Sequence, residues 1–299
     1  MICRYVTADV FTTEIFHGNP LAVVLDAEGL STAEMQAITV EFNYSETTFV
    51  LPPRDPTRTA WVRIFNPSRE MPFAGHPNIG TAFVLARELQ RRDEPVPKRL
   101  VFEEAAGLVE IELMHESGIV VGAELTAPEA LSRGTKVSPQ AAASLFGLSA
   151  EDVVTATHEP MVASVGMPFL VVEIATREAL QRSQPDATRY AAVLPQAGAF
   201  SVYGYTRHVD PKMDGDTEVQ ARMFTSRMTE DPATGSATGA MIALRAASLG
   251  VADLRLRVGQ GTDMGRPSLL LASAVRRGQE VIARVGGRCI AVMDGQITL

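Results

Sequence analysis

Glu70-Met71-Pro72-Phe73-Ala74-Gly75-His76-Pro77-Asn78-Ile79-Gly80-Thr81-Ala82 is the stretch on which the fold turns. A polar segment and a proline lead to Gly75, and from Asn78 to Gln90 the residues Ile79, Ala82, Phe83, Leu85, Ala86 and Leu89 predict a largely buried helix. Glu230-Asp231-Pro232-Ala233-Thr234-Gly235-Ser236-Ala237-Thr238-Gly239 repeats the arrangement and opens a second apolar helix, Ala237 to Ala247. Upstream, Arg63-Ile64-Phe65 is echoed by Arg222-Met223-Phe224, and Gly18-Asn19-Pro20-Leu21-Ala22-Val23-Val24 by Gly166-Met167-Pro168-Phe169-Leu170-Val171-Val172. Each echo is weak alone. Together, in one order and at nearly constant spacing, they imply two lobes of one design.

In both halves a strand ending in Arg-x-Phe leads through a polar turn and a proline to a glycine that opens a helix. Two helix starts are then expected to face a shared cleft. Their unpaired N–H groups and positive ends suit a carboxylate. Gly75 and Gly235 also read as ordinary turn glycines, but a plain turn has no reason to recur before the same kind of helix.

Outward from these motifs, short apolar runs rich in β-branched residues predict strands. They lie at Leu21 to Leu25, Thr47 to Leu51, Ala60 to Phe65, Leu108 to Leu113, Phe169 to Ile174, Leu254 to Val258, Leu269 to Ala272 and Val281 to Val285. A further helix is expected from Ser31 to Val40, with Ser31 and Glu34 at capping-box spacing.

The 299 residues, 46% hydrophobic, are enough for one large core or two lobes. A formal charge of −8, with no basic cluster longer than a pair such as Arg91-Arg92, removes the basis for gripping nucleic-acid phosphates. Cys3 and Cys289, with no CxxC, point to a reducing compartment and away from a zinc site. The N-terminus shows no signal-peptide pattern and no segment is apolar enough to span a membrane, so a cytoplasmic protein is expected.

Glu46, in Asn43-Tyr44-Ser45-Glu46-Thr47-Thr48-Phe49-Val50, stands where a polar turn enters an apolar strand. Partial desolvation there would raise its pKa toward the range useful to an acid or base; a surface glutamate at a strand start is the plainer reading. His76, next to a helix start, is expected to be neutral and able to make one hydrogen bond, or else to cap or pack, and Pro77 suits the first helical position. Asp231 would bind a substrate amine or orient His76, and Ser236 would donate to a substrate oxygen; local capping by Asp231, Thr234 and Ser236 is the alternative. The remaining histidines, His17, His115, His158 and His208, are too scattered for a metal site. Gly259-Gln260-Gly261-Thr262-Asp263-Met264-Gly265-Arg266-Pro267 imitates a dinucleotide fingerprint. An extra residue before the last glycine and Pro267 break it, which favours a structural or cleft-lining loop.

The His17-to-Pro20 segment, Asn43 to Val50, Phe73-Ala74-Gly75-His76-Pro77, Glu230 to Ala237 and Met264-Gly265-Arg266-Pro267-Ser268 together resemble the PhzF family of phenazine-biosynthesis isomerases, in order through almost the whole chain. The resemblance implies an α+β fold similar to diaminopimelate epimerase: two lobes, each a curled, barrel-like β-sheet around a central helix. The first lobe would be residues 1–118 plus 278–299 and the second 119–277. It also implies a homodimer without cofactor or metal, acting on a small carboxylate. Glu46, His76 and Asp231 would be catalytic, and Gly75, Gly235 and Ser236 would bind substrate. The reaction implied moves a proton and double bonds on a small cyclic or unsaturated carboxylate, with trans-2,3-dihydro-3-hydroxyanthranilate the named candidate. Related epimerases and racemases use two cysteines near such helix starts, where this chain has His76 and Ser236, so a single-carboxyl shuttle through Glu46 is favoured. An epimerase of another amino acid and a metabolite-binding or interaction protein without catalysis remain the alternatives. Tyr203-Gly204-Tyr205 is a candidate substrate-selecting loop.

Overall fold

Strand order, not only sequence, is duplicated. The computed structural model describes all 299 residues and divides into unit 1, Met1–Leu125 with Gly286–Leu299, and unit 2, Thr126–Val285. Unit 1 contains β1 (Ile2–Val10), β2 (Asn19–Val24), α1 (Thr32–Phe42), β3 (Glu46–Leu51), β4 (Ala60–Asn66), β5 (Arg69–Met71), α2 (Gly75–Arg91), β6 (Arg99–Glu104), β7 (Gly107–Glu116) and β8 (Ile119–Thr126). Unit 2 opens with β9 (Ser132–Lys136), α3 (Pro139–Ser144), β10 (Val153–Val154), β11 (Met161–Ser164), β12 (Pro168–Ile174), α4 (Arg177–Gln181) and α5 (Ala187–Ala197). It continues with β13 (Ser201–Thr206), α6 (Pro211–Asp214), β14 (Val219–Phe224), β15 (Glu230–Asp231), α7 (Gly235–Leu249), β16 (Asp253–Gln260) and β17 (Ser268–Arg277). The last strand, β18 (Glu280–Thr298), begins in unit 2, and its later residues pair antiparallel with β1 in unit 1.

Within unit 1, β2 and β3 are parallel, β4 is antiparallel to β3 and β5, β6 is parallel to β4, and β7 is antiparallel to β6. Unit 2 repeats every one of these pairings with β12, β13, β14, β15, β16 and β17. Each sheet curls around its own apolar helix, α2 packing on β1, β2, β3 and β7, and α7 on β11, β12, β16 and β17. The pleat explains the sequence pattern: a strand covered by the helix keeps its apolar residues inward, and each fully buried Ile, Leu or Phe contributes roughly 1.5–3 kcal/mol. Gly80 lets α2 approach closely, since a Cβ there would meet Leu21 and Val10 side-chain carbons at 2.6 and 2.7 Å.

The repeated Arg-x-Phe and Glu also acquire a physical reason. Arg63 Nε and Nη2 donate to Glu70 at 2.7 and 2.6 Å, and Arg222 Nε and Nη2 donate to Glu230 at 2.8 Å each. Each guanidinium lies over the phenylalanine two residues on, 5.1 Å from the Phe65 centroid and 4.7 Å from that of Phe224. A two-pronged charged bond fixes orientation as well as distance, so in both units it ties the strand to the short β-segment that delivers the helix.

Several boundaries differ from the sequence expectation. The division falls at 125/126 and 285/286, later than 118/119 and 277/278. β8 remains in register with β7, and the start of β18 holds unit 2 through Ala127 N–H to the Ala283 carbonyl and Leu131 N–H to that of Val281, both 2.9 Å. Helix α2 begins at Gly75 rather than Asn78, so Pro77 is the third helical residue, where a missing N–H is still harmless. Helix α1 has the expected reciprocal cap between Ser31 and Glu34. Tyr203-Gly204-Tyr205 is not a loop: it is the buried middle of β13. Its tyrosine hydroxyls are satisfied inside, Tyr203 with Thr238 at 2.9 Å and Tyr205 with Glu173 at 3.0 Å. Gly204 is small because the Phe146 ring would stand 2.7 Å from a Cβ. No helix is long and apolar enough to cross a membrane.

Candidate active site

In unit 1 the parallel pairing of β2 and β3 sets Leu21 beside Glu46, so Glu46 is the first residue of its strand and its side chain is only 20% exposed. Helix α2 starts alongside. Its N-cap, Ala74, is extended (φ −154°) and provides no side-chain cap, which leaves the early N–H groups of Gly75 and His76 without that internal acceptor. The structure brings Glu46 and His76 together: Glu46 Oε2 lies 3.5 Å from His76 Nδ1. The Asn19 side-chain nitrogen is 3.4 Å from the same Nδ1.

His76 is buried, and burial drives its pKa down to about 3 against a hydrogen bond to the Pro20 carbonyl that favours the charged form. The ring is therefore neutral, as expected, and its contact with Glu46 is a polar contact rather than an ion pair. Its Nε2 is buried and has no hydrogen-bond partner. A donor or acceptor kept unpaired in the interior costs roughly 1–3 kcal/mol, a cost a ligand would relieve.

This burial has a testable consequence. The unfolded chain binds a proton on His76 below its ordinary value of 6.5, whereas the folded chain refuses one until about 3, so stability drains away as pH falls through that window. A His76→Gln variant should lose less stability on acidification than the wild type in urea-melting series. Superimposable acid limbs would contradict the buried neutral ring. His158, also held down by burial, contributes its own share in both proteins.

In unit 2, β15 carries Asp231 and α7 starts at Gly235, after the extended N-cap Thr234. Thr234 does not cap with its side chain; its hydroxyl donates to Asp231 Oδ2 at 2.5 Å. Gln260, fully buried at the end of β16, accepts from Thr234 N–H at 3.2 Å and donates to the Asp231 carbonyl at 2.8 Å and to Thr234 Oγ1 at 3.0 Å. Asp231, Thr234 and Gly235 are thus locked as one turn, and Ser236 follows half-buried in the first helical turn. Thr234, one of the residues expected to cap, makes no side-chain cap to α7.

Three contributors escaped the sequence reading. Asn19 lay inside a quoted echo but far from His76 in sequence, and Thr234 was treated only as a capping residue. Gln260 sat within the glycine-rich decoy. That decoy is structural: Gly261 (φ +78°) would place a Cβ 2.4 Å from the Arg266 carbonyl oxygen and 2.6 Å from that of Pro232. Arg177 holds the same loop by two bonds to Asp263, at 2.9 and 2.8 Å. Neither cysteine belongs to these clusters. Both are buried and free, and burial pushes both thiols up, Cys289 to about 12.

Two units of one strand order, each curled around a helix whose glycine start lacks a side-chain cap, define a diaminopimelate epimerase-like α+β fold. The chain belongs to the phenazine biosynthesis-like (PhzC/PhzF) protein family, whose model matches residues 8–295. It is 37% identical to an uncharacterized isomerase of Mesorhizobium japonicum over 98% of each chain. It is 32% identical to the trans-2,3-dihydro-3-hydroxyanthranilate isomerase of Pseudomonas chlororaphis over 99% of each. In fold it is similar to the crystal structure of a PhzF-family phenazine biosynthesis protein from Bacillus anthracis, with a TM-score of 0.86, 22% identity and full coverage of both chains.

Proposed function

We propose that the protein is an isomerase that needs no cofactor and moves a proton within a small cyclic or unsaturated carboxylate. The observation that carries this reading is the Glu46–His76 pair: a carboxylate 3.5 Å from a buried neutral imidazole whose other nitrogen is unpartnered, at an uncapped helix start. Glu46 is the acid and base. It takes a proton from a carbon acidified by the substrate's conjugation and returns it to another carbon, while the shifted double bonds carry the charge. His76, being neutral, donates or accepts one hydrogen bond without competing for that proton. Gly75 N–H and the helix start hold the carboxylate group. The turn of unit 2 offers groups of matching kinds beside its own glycine start at Gly235, Asp231 a carboxylate suited to an amino group and Ser236 a hydroxyl suited to an oxygen.

The buried cysteines support a carboxyl mechanism over a two-thiol one, since a thiol with its pKa pushed up to about 12 supplies almost no thiolate near neutrality. The 32%-identical isomerase from Pseudomonas chlororaphis makes trans-2,3-dihydro-3-hydroxyanthranilate the first substrate to try. The test is incubation in deuterated water with that compound and a panel of small unsaturated amino acids, following deuterium uptake by NMR together with the ultraviolet spectrum. Deuterium at a ring or chain carbon, with a spectral change, is the expected result. Binding of these acids without any isotope uptake would overturn the isomerase reading.

A further inference from the structure

The duplicated register exposes a residue pair that the sequence echoes do not. Ala60 and Val219 correspond, each standing three residues before its clamp arginine, Arg63 or Arg222. In the parallel pairings Ala60 sits opposite Phe102 and Val219 opposite Val258. Two residues further along β6 and β16, Glu104 therefore occupies the place that Gln260 occupies in unit 2.

Gln260 uses both ends of its amide to brace the turn before α7. Glu104 is set against the matching turn before α2, where Ala106 N–H donates to the Pro72 carbonyl at 3.1 Å. The side chain of Asn78, in the first turn of α2, lies beside its carboxyl. Yet neither Glu104 oxygen nor Asn78 Oδ1, all buried, has a partner at full hydrogen-bond geometry, and of the two N–H groups on Asn78 Nδ2 one is given to the Ala74 carbonyl at 3.0 Å, which leaves one for the Glu104 carboxyl. Three buried acceptors with one N–H among them are a costly arrangement, and one added proton turns one of them into a donor.

The charged neighbours do not supply an alternative. Arg54, Arg63 and Glu70 line the same hollow. Arg63 is engaged by Glu70, Arg54 stacks over Trp61 at 4.0 Å, and the adjacent Glu103 turns its carboxylate to the N–H groups of Arg54 and Asp55. Burial, only partly opposed by Asn78, raises the Glu104 pKa to about 8.

We propose that Glu104 is a positioning residue that works as a neutral carboxylic acid, the counterpart of Gln260, bracing the start of α2 and leaving its positive end free for a substrate carboxylate. The brace stands independently of the reaction; the last clause rests on the isomerase reading. A neutral acid, like an amide, offers both a donor and an acceptor in nearly the same shape, with one N–H fewer than the two that Gln260 uses. An ionised one would bring a negative charge to the helix start and compete there with an anionic ligand.

The test compares wild type with Glu104→Gln. The unfolded chain gives up the Glu104 proton near 4.5 and the folded chain only near 8, so wild-type stability should fall as pH rises through that window and level off above it. The variant, neutral throughout, should be spared, and the ratio of the two folding equilibria should change by on the order of 10^3 across the window. With whichever carboxylate exchanges in deuterated water, wild-type KM should climb above about pH 8 with little change in kcat, and the variant's KM should not. Parallel stability curves, or a variant that fails to fold at any pH, would overturn the proposal. The urea series requires no substrate, so it keeps its meaning even if the chain proves not to be an isomerase. A KM unmoved by pH in both proteins, beside divergent stability curves, would remove only the substrate clause.

Discussion

Glu46→Gln should abolish deuterium uptake by the substrate while leaving the fold intact. The amide keeps the volume and shape of the carboxyl and one of its acceptor atoms, but it neither accepts nor returns a proton. Positioned acid–base groups contribute roughly 10^2–10^4 in rate, and a residue that performs both halves of the transfer belongs at the upper end, so kcat should fall about 10^3-fold or more. Stability should change by less than about 1 kcal/mol, because the side chain is partly open and stands at a strand start, where nothing in the core is rebuilt around it. Binding of the substrate carboxylate, assigned to the helix start and not to Glu46, should persist, so the loss should fall on kcat and not on KM. The measurement is single-turnover isotope exchange by NMR beside a urea melt of the same preparation. Normal exchange in the variant would remove Glu46 from the mechanism, whatever the enzyme's substrate.

The contrast between Glu46 and its surroundings shows how far the sequence carries. Glu46 is visible locally as an acid at the mouth of an apolar strand, but a glutamate at a strand start is also ordinary, and the motif from Asn43 to Val50 that resembles the family is what singles it out. The two helices were legible locally, since an apolar face recurs at helical spacing and a glycine precedes it. The Arg-x-Phe and Glu echoes were legible as echoes, but not as two-pronged ion pairs, because nothing in a linear pattern shows that a side chain on one strand reaches back from the next. Contacts across the sheet were beyond reach. Asn19 meets His76 only because β2 runs beside the start of α2, and Gln260 serves Asp231 only because β16 is parallel to β14. Tyr203-Gly204-Tyr205 misled because glycine between tyrosines is common in exposed loops. Here the glycine makes room for Phe146, and the hydroxyls find buried partners.

Arg222 shows where the same architecture should be most fragile. The residue is 9% exposed, and all three guanidinium nitrogens are engaged: Nε and Nη2 hold Glu230, while Nη1 donates to the carbonyls of Leu180, Gln181 and Ser183 at 3.1, 2.8 and 2.9 Å. Those carbonyls end and follow the short helix α4, so one side chain closes a helix terminus, a strand and the segment that carries Asp231. Arg222→Leu would strand the Glu230 carboxylate in a half-dry site and take the guanidinium donor from three carbonyls, of which that of Leu180 keeps Ser183 N–H at 3.2 Å. Removing one partner of a buried pair costs about 3–5 kcal/mol, and that loss is expected in the urea midpoint at neutral pH. Arg222→Lys keeps the charge but not the planar fork, so it should recover only part of the loss. Arg222→Leu combined with Glu230→Leu separates the two causes. If the stranded charge dominates, the double variant should regain much of the stability, because apolar pairs often replace ionic ones at little cost. If the orphaned carbonyls dominate, it should not. Arg63→Leu is the matched control from unit 1: that arginine also clamps a glutamate, but its other hydrogen bonds go to side chains, Thr32 Oγ1 at the start of α1 and Met35 Sδ, and it holds no helix-terminal carbonyl. Its loss should be the smaller, and equal losses at the two positions would show that the helix-closing carbonyl bonds add nothing to the clamp.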